Sequence, residues 1–227
     1  MRFSIIMPVL NEEAILEFQL ARLIRQCAQQ DYELLLVDGG STDRTVEIAQ
    51  RYAQVLTAPP GRARQMNVGA MAANGDVLLF LHADTELPDN AFLAIERALA
   101  SPEVVAGAFR LCFNCERPLY KLVAFMTNLR SQTFTVFTGD QAYFMHFASF
   151  KAVEGYPDQP LMEDLEIITR LRKIGMVVLL PHYVKTSARR HEHVGLLRSV
   201  IFMWCLRTLY RFGVSPGRLQ IMYGNVR

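Results

Sequence analysis

Four times in the first hundred residues, a short apolar run gives way to polar residues and then to a segment with helical spacing. The runs are Phe3–Val9, Tyr32–Val37, Val55–Ala58 and Val77–Leu81. Val77–Leu81 is an unbroken apolar run, which suits a strand covered on both faces, as in a parallel sheet. Pro8 is expected to close the first. Asn11, Glu12 and Glu13 then open a helix with Ile15, Leu16, Leu20, Leu23 and Ile24 on one face. The second run ends in Asp38, Gly39, Gly40, Ser41, Thr42 and Asp43, where Ser41 or Thr42 is expected to cap the next helix. After the Pro59-Pro60-Gly61 break, GRARQMNVGAMAANG reads as a small-residue helix packed closely on the sheet. The pattern predicts an α/β fold with a mostly parallel central sheet flanked by helices and right-handed crossovers.

The second half is less regular. Val104–Phe113 reads as a strand interrupted by Gly107, and Leu119–Leu129 as a helix. Phe134–Phe147 is aromatic-rich, with a turn at Gly139, Asp140 and Gln141. Met162–Lys173 is a helix stopped by Gly175. Met176–Leu180 is a strand closed by Pro181, with His182–Ser187 as a separate strand. Leu196–Phe212 is an amphipathic helix carrying Arg198, Arg207 and Arg211.

With 227 residues the chain suits one domain with an elaborated end. The net charge of +2 says little about partners, and no nucleic-acid partner is expected; the distribution of the charge is uneven. From Lys185 onward eight cations face one acid, Glu192, which makes a basic terminal segment. Cys27, Cys112, Cys115 and Cys205 make no disulfide framework, and the single CxxC has no second pair to complete a zinc site. The N-terminus has no cleavage-like site and no apolar stretch reaches membrane-spanning length, so a cytoplasmic location is expected.

Chemistry concentrates where the apolar runs end. In an open α/β sheet, ligands bind beyond the carboxyl ends of the strands. Three ends carry polar groups: Asn11/Glu12/Glu13, Asp38/Asp43 and His82/Asp84. His82 and Asp84 lie two apart, which in extended chain puts both side chains on one side. An imidazole and a carboxylate there can hold a divalent cation and the phosphates it neutralises. Asp84 is also a plausible helix cap, Asp38 an Asx-turn former, and Glu163 and Asp164 acids that favour a helix start.

SIIMPVLNEE, VDGGSTDRT, LFLHADT and MEDLE, in this order, resemble the four motifs of family-2 glycosyltransferases of the GT-A fold. HADT, GRARQMN and the late RRH together resemble a small bacterial subfamily with an HAD-type variant of the D-x-D motif. Two positions depart from the family pattern: Gly39 stands for the usual second Asp, and His82 for the first Asp of D-x-D. The usual Q-x-x-R-W motif is absent, with Arg189, Arg190 and His191 in its approximate place.

The resemblance implies a GT-A domain over 1–190, its nucleotide half at 1–100 and its acceptor half at 101–190. A basic helical tail, 191–227, would pack on the body or on a partner. Pro8, Val9, Glu12, Asp38, Arg62, Arg64, His82, Ala83 and Asp84 would bind a UDP- or GDP-linked sugar. Asp84 would hold Mg²⁺ or Mn²⁺, with His82 at the ribose or a water. Arg189, Arg190 and His191 would contact the diphosphate. Asp164 would be the general base toward an acceptor hydroxyl, and Glu163 would orient it or touch the acceptor. Residues 195–212 would pack on the body, join a homodimer, or lie peripherally at the inner face of the membrane. Two other classes compete. A nucleotidyltransferase wants a Gly-rich basic loop after the first strand, which MPVLNEE lacks. A non-catalytic nucleotide-sugar module fits Gly39 and His82 better than it fits the retained Asp84 and Asp164.

Overall fold

The computed structural model describes residues 1–188 and 195–224. Its strands are β1 (Phe3–Val9), β2 (Tyr32–Asp38), β3 (Gln54–Thr57), β4 (Val77–Phe80), β5 (Thr85–Glu86), β6 (Val104–Phe113), β7 (Tyr143–His146) and β8 (Met176–Thr186). Its helices are α1 (Glu13–Cys27), α2 (Thr45–Gln50), α3 (Arg62–Ala72), α4 (Ala91–Leu99), α5 (Pro118–Phe134), α6 (Phe147–Ala152), α7 (Glu163–Leu171), α8 (Leu196–Arg211) and α9 (Pro216–Gly224). A single 3₁₀ turn spans Gly139–Gln141. The strands form one eight-stranded sheet in the order β3-β2-β1-β4-β7-β6-β8-β5.

The N-terminal half is the parallel sheet the alternation predicts: β3, β2, β1 and β4 all pair in parallel. The other half is mixed, because β7 inserts antiparallel between β4 and β6 while β6 and β8 run parallel. Along β1, Phe3, Ile5, Met7 and Val9 enter the core beneath α1 and α4, and Ile6 enters the core beneath α3 and α7. That division follows the two-residue period of a strand, although every residue of the run, the polar Ser4 included, is buried or half-buried. Gly69 lets α3 approach closely, since a Cβ there would sit 2.5 Å from Ile6 Cγ2 and 3.0 Å from Val37 Cγ2.

Several local expectations are corrected. β1 continues through Pro8, which pairs with Val37. Met176–Leu180 and His182–Ser187 do not form two strands. β8 runs through Pro181, and the register jumps there from Phe109↔Leu180 to Arg110↔Tyr183. A bulge frees proline from donating to the ladder. Ser41 and Thr42 do not cap α2; Arg44 stands at its N-cap and makes no side-chain capping bond, while Asp43 just before it accepts from Thr45 N–H at 2.9 Å. The chain is not extended at 82–84. Thr85 N–H donates to His82 C=O at 3.1 Å and closes a turn, so the alternation argument for those side chains does not apply. The four cysteines are free, and among the described residues no helix is long and apolar enough to cross a membrane.

Candidate active site

The loops after β1 and β2 knit each other together. Asn11, held at φ 53°, accepts from Thr42 N–H at 2.8 Å through its side chain and donates its own N–H to Ser41 Oγ at 2.9 Å. Glu12 N–H reaches Thr45 Oγ1 at 2.8 Å, and Glu13 accepts from Arg44 N–H at 2.9 Å. Asp38 is buried and builds its own turn, accepting from Gly40 N–H at 2.9 Å and from the Ser41 hydroxyl at 2.5 Å. The buried Gln65 amide donates to Val9 C=O at 2.9 Å and Val37 C=O at 2.8 Å, tying both strand ends to α3. This explains Gly39: a Cβ there would lie 3.0 Å from the Gln65 side chain.

Of the residues expected at the nucleotide, Pro8, Glu12, His82 and Asp84 are half-buried at the strand ends. Val9 and Ala83 point into the core and are almost wholly covered. The two arginines part company. Arg64 turns outward to Asp158 at 2.7 Å. Arg62 turns inward, its Nη1 within 3.6 Å of the space beside Gly139 and its charge acting on Glu163 and Asp164. Arg189, Arg190 and His191 lie outside the described residues.

The carboxylate pair opens α7 behind Met162, whose φ of 68° turns the chain sharply into the helix. Asp164 accepts from Gly139 N–H at 3.2 Å and from Leu165 N–H at 2.9 Å. The His82 imidazole lies on the other side of Gly139, 3.0 Å from where a Cβ would be. The end of β4 and the start of α7 therefore meet across one glycine. Gln141 fixes that glycine's turn: it is fully buried, accepts from Thr138 N–H at 2.9 Å and donates to Phe109 C=O at 2.9 Å.

Burial, then the charge of Asp164, pushes the Glu163 carboxyl up to about 7, against the opposing charge of Arg62. Burial also raises Asp164, while Arg207 and Arg62 oppose it. A carboxylate whose affinity for protons is raised by burial is suited to take a proton from a hydroxyl. Tyr143 and Tyr156 sit beneath the pair, their phenols held neutral chiefly by burial. Among the described residues, the two tyrosine hydroxyls, Asp140 Oδ1 and Arg130 Nη2 are buried without a hydrogen-bond partner. Tyr143, Arg130 and Arg207 were not anticipated as site residues, because isolated aromatics and scattered cations carry no motif.

Among the described residues no three acidic, histidine or cysteine groups converge to cage a metal. Asp84 offers one half-exposed carboxylate, which accepts from the Thr85 hydroxyl at 3.5 Å. A single protein carboxylate fits Mg²⁺ or Mn²⁺ that takes its other ligands from substrate phosphates and water.

Parallel strand ends that meet an acid-led helix across Gly139, in a mixed sheet flanked by helices, make an α/β domain of the GT-A architecture. The chain belongs to glycosyl transferase family 2, whose family model matches residues 4–153. It is 43% identical over 100 residues to a PGL/p-HBAD biosynthesis glycosyltransferase of Mycobacterium tuberculosis, covering 40% of this chain and 39% of that one. It is 34% identical over 98 residues to an undecaprenyl-phosphate 4-deoxy-4-formamido-L-arabinose transferase of Photorhabdus laumondii, covering 38% and 30%. The match thus spans well under half the length of these curated relatives. In fold it is similar to a mannosyltransferase from Pyrobaculum calidifontis in complex with GDP-Man and Mn²⁺, with a TM-score of 0.69, 20% identity and coverage of 95% and 66%. It is also similar to S. aureus TarS in complex with UDP-GlcNAc, with a TM-score of 0.64, 18% identity and coverage of 82% and 58%.

Proposed function

We propose that this glycosyltransferase moves a sugar with inversion from a UDP- or GDP-linked donor to an acceptor hydroxyl, with Asp164 as the general base. The observation that carries this reading is the meeting of His82, Gly139 and Asp164, which sets a raised carboxylate across from the nucleotide-facing strand ends. The acceptor oxygen forms a bond to the anomeric carbon from the face opposite the diphosphate. The bond from that carbon to the phosphate oxygen breaks, and its electron pair leaves with the nucleoside diphosphate. The hydroxyl proton passes to Asp164. Arg62 and the oriented Gly139 N–H hold the carboxylate pair in place, and Glu163 orients the acceptor. When bound, Mg²⁺ or Mn²⁺ on Asp84 supplies positive charge to the departing diphosphate. The Mn²⁺-bound mannosyltransferase of similar fold supports this last assignment.

The test is thermal unfolding of the purified protein with UDP, GDP and their sugar conjugates, with and without Mn²⁺. A ligand bound only by the folded state raises the melting temperature with occupancy. One nucleotide series is expected to raise it in a metal-dependent way that Asp84→Ala abolishes. No shift with any nucleotide in the presence of metal overturns the reading.

A further inference from the structure

A groove of about 840 Å³ runs between α5, α7 and α8. Met126, Leu129, Phe134 and Trp204 give it an apolar wall, all four at least a third exposed. Arg130, Arg172, Arg207 and Arg211 also line it, and no described lining residue is acidic. Leu165, the neighbour of the proposed base, forms part of the floor. The charges of two of these cations reach the proposed base: Arg207 acts on Asp164, and Arg130 lies within electrostatic reach of Asp140 and Asp164. Arg130 Nη2 is buried and finds no acceptor among the described residues.

From this juxtaposition we infer that the groove is the acceptor site, and that the acceptor is a lipid with an anionic, hydroxyl-bearing head. The inference rests on the glycosyl-transfer reading and adds its acceptor class. Hydrocarbon lies on Met126, Leu129, Phe134 and Trp204, where burying apolar surface drives binding. The anionic group pairs with Arg130 and Arg207, whose planar guanidinium groups suit oxyanions. That pairing leaves the head's hydroxyl beside Asp164. A purely polar sugar acceptor would leave the apolar wall uncovered, and a neutral lipid would leave the arginines unmatched.

Trp204 is the only tryptophan in the chain, so intrinsic fluorescence reads this groove directly. Dodecyl phosphate, kept below its aggregation threshold, is titrated into the full chain. Dodecyl maltoside and inorganic phosphate are titrated separately. A saturable blue shift with dodecyl phosphate is expected, weakened at least fivefold by Arg207→Gln and by Leu129→Glu. Leu129 is 47% exposed, so its substitution leaves the core intact. An equal response to inorganic phosphate overturns the lipid part, and an equal response to dodecyl maltoside overturns the anionic part. No response to dodecyl phosphate, in protein that still gives the Mn²⁺-dependent nucleotide shift, overturns the inference alone. Absence of the nucleotide shift in wild-type protein removes the premise and overturns the acceptor assignment with it.

Discussion

Asp164 is held by two backbone N–H groups, one on each carboxylate oxygen, so its position survives replacement by an amide better than its basicity does. Asp164→Asn is therefore expected to lower turnover by about 10²–10⁴. The nucleotide-dependent thermal shift should persist. Loss of both would mean that the substitution has broken the site rather than removed a base, and retention of turnover would eliminate Asp164 as the base. Glu163 carries a prediction of different sign. Its carboxyl rises from an ordinary 4.5 to about 7 on folding, so between those values the folded chain binds more protons than the unfolded one. Stability from this group is present at low pH and is lost as pH climbs through about 7. The melting temperature is expected to fall by about 4–8 °C from pH 5 to pH 8 in wild-type protein and to fall less in Glu163→Gln, as read by differential scanning calorimetry. Equal slopes in the two proteins would show that Glu163 titrates normally.

The tightest meeting of helix and sheet is α3 on β1 and β2, and it depends on Gly69. A methyl group there would stand 2.5 Å from Ile6 Cγ2, so α3 has to retreat from the strands whose ends it ties through Gln65. Gly69→Ala is expected to cost about 1–2 kcal/mol, the overpacking penalty outweighing the helical preference for alanine. Met71→Ala, on the same helix but 85% exposed, is the control and should change the urea midpoint little. The same helix shows what sequence could and could not reveal. Its small residues, and the strand–helix alternation around it, are local patterns, and the parallel half of the sheet follows from them. Which of Arg62 and Arg64 turns inward is decided by Asp158, 94 residues from Arg64. The insertion of β7 between β4 and β6 is likewise a pairing between distant segments, which no short-range period encodes. β8 read as two strands because a proline is rarely seen inside a sheet, and a two-residue register jump leaves no signature in composition. The strand-end motifs gave the neighbourhood of the site. Gly139, Tyr143 and Arg130, which complete it, are brought there by folding alone.

The two sides of the candidate site come from distant parts of the chain, and the C-terminal helices brace the side that carries the acids. Leu206 of α8 and Leu219 of α9 are fully buried against Met162, the residue whose positive φ launches α7 into Glu163 and Asp164. Tyr210 adds a hydroxyl bond to Glu166 at 3.4 Å, on the same first turn. These two helices thus brace the start of the helix that carries the proposed base. Leu206→Ala tests that brace. Removing the buried side chain is expected to cost about 2–4 kcal/mol and to lower the melting temperature by about 5–10 °C. Amide hydrogen exchange should quicken over residues 163–166 and stay slow in β1, β2 and β4, because only the brace on α7 has been loosened. Turnover should fall by about tenfold or more, while the Mn²⁺-dependent nucleotide shift keeps its size relative to the variant's own baseline. Uniformly faster exchange across the sheet would show instead that α8 and α9 stabilise the whole fold and have no particular tie to the carboxylate pair.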